Sequence, residues 1–548
     1  MRIRVRELKL PLDHNPDRLI EAAARRLGIG KKDISSLKLV KKAVDARRET
    51  VCFTYTIDLE LNDGVEIPGN ALKSAVIISP PQVNGELLPG PGKLSYSPVI
   101  VGAGPAGLFC ALYLARHGYK PVVFEQGEDI DRRIKTVERF WKEGQLDPLS
   151  NIQFGEGGAG SFSDGKLTAR TGDERIPYVL ETFVQYGANE EILYVKKPHV
   201  GTDIIRIIVK RIRQEIIDLG GEFFFNARLT DININRSYLK SIIINNETKV
   251  PCSVLILAVG NSARDIYRML HRKSISLQAK AFAVGLRVEH PQGLIDRIQY
   301  GKFAGHPRLG AADYHLTYQD EKSERSLYTF CMCPGGYVVA AASGPEQVVT
   351  NGMSCMARDS GIANSALVVT VNPSDWDHRV LGGMELQEEL EKRAFLMGGG
   401  RYRAPAQLLQ DFLAKNTTRS LEGSLATYLP GVTPTNLWEL FPREIGDIMF
   451  RGIEYWGKKM KGFINERAVL TGVETRTSAP LRIERDKDLC ALDIHNLYPC
   501  GEGAGYAGGI ISSAVDGLKV AEKIITSYQR PGRMVKIKDD NMYSAREL

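Results

Sequence analysis

A glycine-rich segment, GAGPAG at residues 102–107, has the residue types and spacing of a dinucleotide site. An apolar strand at 98–101 precedes it, a helix follows it, and a second strand at 121–125 ends in the acid Glu125. In such a unit the first glycine permits a tight turn, the second lets the main chain approach a pyrophosphate, and the third lets helix and strand pack closely. The helix N-terminus favours anions. The spacing therefore predicts a dinucleotide site in which Glu125 accepts hydrogen bonds from ribose hydroxyls.

A second glycine-rich segment, YPCGEGAGYAGG at residues 498–509, helps to choose between the dinucleotides. It follows a strand at 496–500 and precedes an amphipathic helix at 510–525, which predicts a second anion site. Glu502 could hydrogen-bond polyol hydroxyls, and the N–H groups of 508–511 could face a pyrophosphate or the O2 edge of a flavin. Two such sites in a split domain suit one long ligand, which favours FAD over NAD. A glycine turn made only for packing is the alternative.

A third segment, FGEGGAGSFSDGKLTAR at residues 154–170, is open enough to pass close to a planar ring and hydrogen-bond its edge through main-chain N–H groups. Lys166 is the candidate for tuning that ring, because a cation beside N1 and O2 favours the reduced flavin. A surface lysine after an Asp-Gly turn is the alternative. Asp164 either forms that turn or pairs with Lys166. We predict Lys166 and Asp164 as the catalytic residues.

The glycine segments resemble the FAD domain of the glutathione-reductase-like flavoproteins, as does LILAVG, which ends at Gly260. Five further motifs are similar to a bacterial family of uncharacterised FAD-dependent dehydrogenases: GEGGAGSFSDGKL (155–167), FCMCPGG (330–336), NGMS (351–354), ANSA (363–366) and GVETRTSAP (472–480). The resemblance covers nearly the whole chain. It implies a cofactor but no substrate, since that family has no settled reaction. In the wider pattern a basic residue past the ribose acid meets the adenosine or pyrophosphate, and a valine meets the adenine; Arg133 and Leu229 lie in these regions here.

The predicted cofactor contacts comprise the two glycine turns with their neighbours, the open loop, and residues at the ends of two further strands. They are Gly102, Ala103, Gly104, Pro105, Ala106, Gly107, Glu125, Gln126, Arg133, Gly160, Ser161, Asp164, Gly165, Lys166, Leu229, Ala258, Gly260, Gly501, Glu502, Gly508, Gly509 and Ile510. Nothing favours NADP, because Gln126 follows Glu125 and no arginine is adjacent.

The alternation of strand and helix signals predicts an α/β fold. We expect a discontinuous FAD-binding Rossmann-like domain of the glutathione-reductase type, an inserted α+β antiparallel-sheet domain, and a small N-terminal α+β module. The predicted domains are a basic βαββ module with its linker at 1–95, the first part of the FAD domain at 96–274, the inserted substrate or cap domain at 275–465, and the second part of the FAD domain at 466–548. The pattern also predicts a hairpin at 221–232 and few long helices within 275–465.

Composition limits the function classes. The chain has 548 residues, 43% hydrophobic and 25% charged, as expected for a soluble protein of several domains. No apolar run approaches the roughly 20 residues of a membrane span, no secretory signal is recognisable, and the scattered cysteines favour reduced thiols in the cytoplasm. The net charge of +7 lies in the first 50 residues, which hold 14 basic and 7 acidic side chains. That surplus could bind nucleic acid, although a solvated basic face is the favoured interpretation.

Cys331-x-Cys333 is the main hint of thiol chemistry. The C-x4-C pair of flavin disulfide reductases is absent, because Cys110 stands alone after the first glycine turn. Structural thiols lining a pocket are the favoured interpretation of the pair, a redox role is the alternative, and no metal is expected. A dedicated nicotinamide domain is not expected either, so the electron donor is NAD(P)H bound transiently over the flavin, or a protein.

The function predicted from these features is that of an enzyme, an FAD-dependent oxidoreductase with non-covalent FAD that acts on an unidentified small or lipophilic organic substrate. The inserted region would supply the substrate contacts, with six aromatic or basic candidates for an anionic or extended substrate: Tyr314, His315, Arg358, Arg401, Tyr402 and Arg403. Solvated loops are the alternative for most of them. Two alternatives stay open. One is a flavoprotein that modifies or binds RNA through its basic N-terminal module, and the other is a non-catalytic FAD-bound sensor or scaffold.

Overall fold

The computed structural model describes residues 1–47, 50–69, 71, 75–78, 87–169, 172–532 and 542–547. The first part is a small module of strands and one helix: β1 (Arg2–Pro11), α1 (Asp17–Leu27), β2 (Ile34–Asp45), β3 (Cys52–Leu61) and β4 (Ala75–Ile77). Its sheet has the order β2-β3-β1-β4 and is antiparallel. Alternate residues of β3 are buried under α1, which is the period of two that predicted the strand. The short β4 was not predicted, and residues 79–86 of the predicted linker lie outside the described residues.

The next part alternates strands and helices. Its elements are β5 (Val99–Val101), α2 (Pro105–Arg116), β6 (Val122–Phe124), α3 (Ile130–Glu143), α4 (Ile176–Gln185), α5 (Gly201–Asp218), β7 (Glu222–Phe225), β8 (Leu229–Asn235), β9 (Tyr238–Ile244), β10 (Thr248–Pro251), β11 (Leu255–Leu257) and α6 (Arg264–Arg272). The hairpin predicted at 221–232 is wrong. β7 pairs in parallel with β6, whereas β8 begins a separate antiparallel sheet with β9 and β10. The buried positions of both strands hold apolar residues that favour strands, and only the pairing partners distinguish a hairpin from strands of two sheets.

The following region builds a second large sheet. Its elements are β12 (Leu277–Ala279), β13 (Phe282–Pro291), α7 (Gln292–Tyr300), β14 (Thr317–Gln319), β15 (Ser326–Cys333), β16 (Tyr337–Ala340), β17 (Thr350–Met353), β18 (Ile362–Val371), α8 (Gly382–Met397), β19 (Ala404–Leu408), α9 (Leu409–Ala414), β20 (Val432–Pro434), α10 (Arg443–Lys459), β21 (Val469–Glu474) and β22 (Leu481–Ile483). The sheet has the order β14-β15-β18-β13-β21-β19-β20, antiparallel except for β19 with β20. It extends past the boundary predicted at 465, because β21 lies within it.

The expectation of few long helices in this region is wrong for α8 and α10. The buried face of α8 includes two glycines, Gln387 and Glu391, so the helical repeat is only partly apolar. A hydrophobic periodicity of 3.6 residues is therefore weak in the sequence, although the helix is packed on that face.

The last part returns to the first sheet with β23 (Leu497–Pro499), α11 (Ile510–Ser527) and β24 (Tyr543–Ser544). The completed six-stranded sheet has the order β23-β11-β5-β6-β7-β24 and is parallel apart from β24. Its central strands are short and wholly buried, as parallel strands covered on both faces are. The return of β23 beside β11 makes the Rossmann-like domain discontinuous, and the predicted fold class is confirmed. The domain boundaries themselves stay a prediction.

A buried ion cluster joins the two large sheets. Glu391 of α8 has no exposed surface and lies 2.8 Å from Arg264 of α6 and 3.1 Å from Arg476, which follows β21. The hydroxyl of Thr475 donates to the same carboxylate. The two arginines hold the pKa of Glu391 at about 2, below its usual range. The cluster fixes the inserted sheet against the Rossmann-like domain.

Candidate functional site

The first glycine turn contains two kinds of glycine: those that protein packing requires and one that faces open space. A Cβ on Gly102 would lie 2.3 Å from the carbonyl oxygen of Ala258, and a Cβ on Gly107 would lie 1.9 Å from the carbonyl oxygen of Gly102. These two glycines are required by packing between β5, β11 and α2. The nearest atom to a Cβ on Gly104 would be the Cα of Gly158, at 3.9 Å. Gly104 faces open space at the start of α2, so protein packing does not explain its missing side chain.

The second glycine turn, between β23 and α11, repeats this division. A Cβ on Gly503 would lie 2.3 Å from the carbonyl oxygen of Gly260, so this glycine is required by packing. A Cβ on Gly508 would meet nothing within 4 Å, and one on Gly509 would reach only the hydroxyl of Ser512 at 3.9 Å. The helices behind the two turns are in close contact, since a Cβ on Gly517 of α11 would lie 2.2 Å from the carbonyl oxygen of Ala106. The two turns therefore stand side by side.

Both turns line one cavity of about 1230 Å³. This volume exceeds the roughly 300–1,000 Å³ of most small-molecule sites. The side that we call the Rossmann wall consists of the two glycine turns and the ends of β5 and β11. The opposite side, the sheet wall, consists of the cavity-lining residues of β14, β15, β18 and β21. The cavity thus lies between the two large sheets.

Most of the predicted cofactor contacts line this cavity. They are Gly102, Gly104, Pro105, Ala106, Glu125, Gln126, Gly160, Asp164, Gly165, Lys166, Leu229, Ala258, Gly260, Glu502, Gly508, Gly509 and Ile510. Five others do not line it: Ala103, Gly107, Arg133, Ser161 and Gly501. Of these, Ala103, Gly107 and Gly501 belong to the turns themselves, while Arg133 and Ser161 hold up the loop behind the cavity.

Arg133 corrects a sequence prediction. Its side chain has no exposed surface, and its guanidinium donates to five main-chain carbonyls of one loop: Asn151, Ile152, Gly155, Glu156 and Gly158. The planar fork of an arginine suits this many acceptors. Ser161 is also buried, and its hydroxyl donates to the carbonyl of Glu156. Both residues position the loop that follows the ribose acid and do not reach the cavity.

Glu125 is placed where a ribose acid is expected, and it also holds the turn together. One carboxylate oxygen accepts the N–H of Ala103 at 2.8 Å, and the other accepts those of Gly127 at 3.0 Å and Gly155 at 2.9 Å. An ionised carboxylate has about four acceptor positions. Three are used by the main chain, which leaves acceptor capacity at the cavity surface that Glu125 lines.

Asp164 has a stronger partner than Lys166. The carboxylate is buried and accepts two bonds from Arg358, at 3.0 and 2.6 Å, and another from the hydroxyl of Ser354. The Lys166 ammonium is 3.8 Å from Asp164 and one-third exposed. Neither sequence alternative for Asp164 included Arg358, which lies far along the chain and was predicted only as a substrate contact. Lys166 is left as the less tightly paired cation of the two, and it lines the cavity.

Glu502 and its neighbours form a polar corner that the sequence shows only in part. Asn261 donates to Glu502 at 2.8 Å. Burial raises the pKa of Glu502 to about 7, and burial lowers that of Lys280, which lines the same corner. No motif signals Lys280. Its position follows from the antiparallel pairing of β12 with β22, which carries the chain beside the second glycine turn.

The predicted substrate contacts divide in two. Tyr314, His315 and Arg358 line the cavity. Arg401, Tyr402 and Arg403 lie elsewhere: Tyr402 packs against Phe140, and Arg403 bonds to the hydroxyl of Thr433. Residues that the sequence did not single out, Glu474 and Arg476, line the cavity within the motif GVETRTSAP, so the motif itself was the available signal.

The N-terminal module contributes no residue to the cavity among those the structure describes. Part of its positive charge is paired internally, Arg2 with Glu60, Arg4 with Asp58 and Lys9 with Asp45. Arg308 donates to the carbonyls of Leu12 and His14 and holds the module against the inserted domain. Across the described ranges, no helix has the length and hydropathy needed to span a membrane. In the same part of the chain, no group of three His, Cys, Asp or Glu side chains is arranged to hold a metal ion.

Comparison with known proteins defines the class. A family model described as "FAD-dependent protein, C-terminal domain-like" matches residues 281–477, and one described as an NAD(P)-binding Rossmann-like domain matches residues 100–151. A domain of unknown function, DUF8436, matches residues 2–60. An uncharacterized protein of Clostridium beijerinckii is 46% identical over 533 residues, which cover 97% of this chain and all of that protein. The chain belongs to the family of that protein, a family of FAD-dependent, oxidoreductase-like flavoproteins.

Two solved structures show a weak similarity to this chain. A geranylgeranyl bacteriochlorophyll reductase-like protein from Thermoplasma acidophilum is 13% identical, with a TM-score of 0.34 and 79% of each chain covered. The halogenase PltM in complex with phloroglucinol and FAD is 11% identical, with a TM-score of 0.37, 80% of this chain covered and 72% of that one. These scores are too low to carry an activity over to this chain.

The residues present fit FAD. Gly104 and Gly508 leave open space at two neighbouring helix N-termini, which is where the main chain would approach the two phosphates. Glu125 and Glu502 both line the cavity, where Glu125 would accept hydrogen bonds from ribose hydroxyls and Glu502 from polyol hydroxyls. When bound, FAD supplies a group that accepts and releases two electrons.

Proposed function

We propose that the protein is an FAD-dependent oxidoreductase that holds FAD non-covalently along the Rossmann wall and an organic substrate against the sheet wall. The observation that carries this proposal is the single cavity that joins both glycine turns to the inserted sheet. A cavity of about 1230 Å³ has room for a dinucleotide and for a second molecule beside it. A site that only stored a cofactor would need no second wall.

Different residues of the cavity would bind different parts of the cofactor and substrate. Main-chain N–H groups at the starts of α2 and α11 would bind the phosphates, and Glu125 and Glu502 would bind the hydroxyls. Lys166 lines the cavity, and its positive charge would favour the reduced form of a flavin ring bound beside it. The sheet wall offers aromatic and apolar side chains, among them Tyr328, Phe330 and Met332, which suit a small or lipophilic substrate and exclude water.

The test is the spectrum of the purified protein and its response to electron donors. We expect a yellow protein that releases FAD on denaturation and whose visible absorbance is bleached anaerobically by NADH, NADPH or dithionite. A colourless protein that takes up no added FAD would refute the proposal. If the protein binds FAD but neither NADH, NADPH nor dithionite reduces the bound flavin, the hypothesis of a non-catalytic sensor or scaffold is favoured. A flavin that only dithionite reduces would point to a protein as the electron donor.

A further inference from the structure

The sheet wall carries a pair of thiols at a break in its hydrogen bonding. The pairing of β15 with β18 shifts register between Phe330 and Cys333, which is a bulge. Cys331 lies inside this bulge with a φ of 42°, in the left-handed region that side chains other than glycine rarely adopt. It is half-buried and lines the cavity, whereas Cys333 is fully buried. Bulges beside binding sites commonly redirect one side chain, and here that side chain is a thiol.

The two thiols are close neighbours. The Cys333 Sγ donates to the carbonyl oxygen of Cys331 at 3.3 Å, and its interaction with the Cys331 side chain favours the ionised form of that thiol, which lowers its pKa. A thiol has a single hydrogen to donate. When Cys331 loses its proton, its thiolate sulfur becomes a stronger hydrogen-bond acceptor than its carbonyl oxygen. The S–H group of Cys333 can then rotate to donate to that sulfur. Cys333, buried behind the wall, is thus placed to stabilise a negative charge on Cys331.

The charges around Cys331 favour the same ionisation. Lys166 of the open loop and Arg287 of β13 are cations near the sulfur, while Glu474 of β21 is an anion that opposes them. Arg287 is paired with Glu474 at 2.7 Å and donates to the Cys331 carbonyl at 3.1 Å. The interaction with Cys333 is the largest influence, and it lowers the pKa of Cys331 below the usual value of a thiol. That of Cys333 rises well above its usual value.

We propose that Cys331 is a nucleophilic site on the cavity wall, with Cys333 as its positioning residue, that adds to the electrophilic carbon of small α,β-unsaturated carbonyl compounds. In this step the thiolate sulfur forms a bond to the β-carbon, the π pair moves to the carbonyl oxygen, and the resulting enolate takes a proton from water. No electrons are gained or lost overall. Lys166 lies on the same cavity surface, where its charge would stabilise the enolate oxygen. The inference rests on the cavity of the proposed function but does not require bound FAD.

The probe is N-ethylmaleimide, with each modified cysteine located by peptide mass spectrometry. Cys355 is the internal control, because it is also half-buried but burial raises its pKa. At pH 6.5 we expect Cys331 to be modified at least tenfold faster than Cys355, because the thiolate is the reactive form. Equal rates at pH 6.5, or a faster Cys355, would overturn the proposal.

Cys333→Ala and Cys333→Ser test the positioning role. We expect Cys333→Ala to slow modification of Cys331 about tenfold at pH 6.5 and to move its pH profile upward, with the difference shrinking towards pH 9.5. Cys333→Ser keeps a donor and should recover part of the rate. An unchanged pH profile in a folded Cys333→Ala protein would overturn the role of Cys333. If both variants fail to fold, the wild-type pH profile decides, because a profile with its midpoint above pH 8 contradicts a stabilised thiolate.

Flavin absorbance recorded on the same samples separates this inference from the proposed function. Rapid modification of Cys331 in a protein that takes up no FAD would support the inference while the cofactor proposal fails. A yellow protein whose flavin is reducible but whose Cys331 reacts no faster than Cys355 would support the proposed function and overturn the inference about Cys331.

Discussion

The two walls of the cavity are built from different parts of the chain. The Rossmann wall presents main chain, since its turns are glycines and the helix N-termini behind them have free N–H groups. The sheet wall presents side chains, including an aromatic ring, a thiol and a buried ion pair at Phe330, Cys331 and Glu474. Main chain recognises phosphate whatever is attached to it, whereas side chains distinguish one organic group from another. The difference supports the proposal that the Rossmann wall binds the cofactor and the sheet wall binds the substrate.

The strongest test of this comparison removes the cluster that holds the walls in place. Glu391→Gln would leave Arg264 and Arg476 buried with the partly exposed carboxylate of Glu388, 3.8 Å from Arg264, as the remaining counter-charge, and we expect it to lower the free energy of unfolding by about 4 kcal/mol. The measurement is urea unfolding at pH 7. The control is Glu389→Gln, whose partly exposed pair with Arg393 should contribute under 1 kcal/mol.

The same variant carries a pH dependence. The pKa of Glu391 is depressed to about 2 in the folded protein, so its stabilisation is complete above the ordinary pKa near 4.5 and is lost as the pH falls towards 2. The stabilisation that depends on the ionised Glu391 carboxylate, and is lost at low pH, is about 3 kcal/mol. The stability difference between wild type and Glu391→Gln should therefore narrow from pH 6 to pH 3. If the stability difference between the two proteins does not change with pH, the ionised carboxylate of Glu391 is not what stabilises the buried ion cluster.

A smaller effect is expected from filling the Rossmann wall. Gly104 has an extended backbone and open space at its Cβ, so Gly104→Val should fold normally but block the approach of a phosphate. We expect FAD to bind about 100-fold more weakly, which is about 2.7 kcal/mol. Titration of the FAD-free protein with FAD measures the affinity.

Two further glycines serve as controls for that substitution. Gly310→Val places the same side chain at an exposed glycine with open space and should leave FAD affinity unchanged. Gly107→Val should instead damage the fold, because its Cβ would lie 1.9 Å from a carbonyl oxygen. If Gly104→Val binds FAD as the wild type does, the first turn does not hold the phosphates.

Gly508→Val should have a weaker effect than Gly104→Val. Gly508 is exposed at the entrance of the second turn, and a Cβ there meets no protein atom within 4 Å. A valine can turn partly towards solvent, so we expect FAD affinity to fall about tenfold, or about 1.4 kcal/mol. Equal losses at Gly104 and Gly508 would show that the two turns contact the cofactor equally. If Gly508→Val loses no FAD affinity, the alternative that the second glycine turn serves only packing is favoured.

The smallest effect is expected outside both walls. Deleting residues 1–90 should leave FAD affinity within about twofold, because no described residue of that module lines the cavity. The same deletion tests the RNA hypothesis. Salt-sensitive binding of tRNA by the full chain that is lost on deletion would support it, and binding indifferent to the deletion would count against it.

Sequence patterns predicted the Rossmann wall well because its geometry is local. The spacing of Gly102, Gly104 and Gly107 specifies a turn and a helix start within six residues, and the structure has both. The interpretation of Arg133 failed because an arginine three residues into a helix looks the same in the sequence whether it faces a ligand or five carbonyls of a distant loop. The hairpin at 221–232 failed for the same reason, since strand pairing is decided by partners elsewhere in the chain.

The sequence by itself determined that two glycine turns of the same kind flank a split Rossmann-like domain, because turn geometry, helix capping and strand alternation depend on neighbouring residues. Only the tertiary structure decided that Arg358 pairs with Asp164, that Glu391 joins the two sheets, and that a bulge turns Cys331 towards the cavity. These contacts join residues far apart in the chain, and their energies depend on burial and distance, which exist only once the chain has folded.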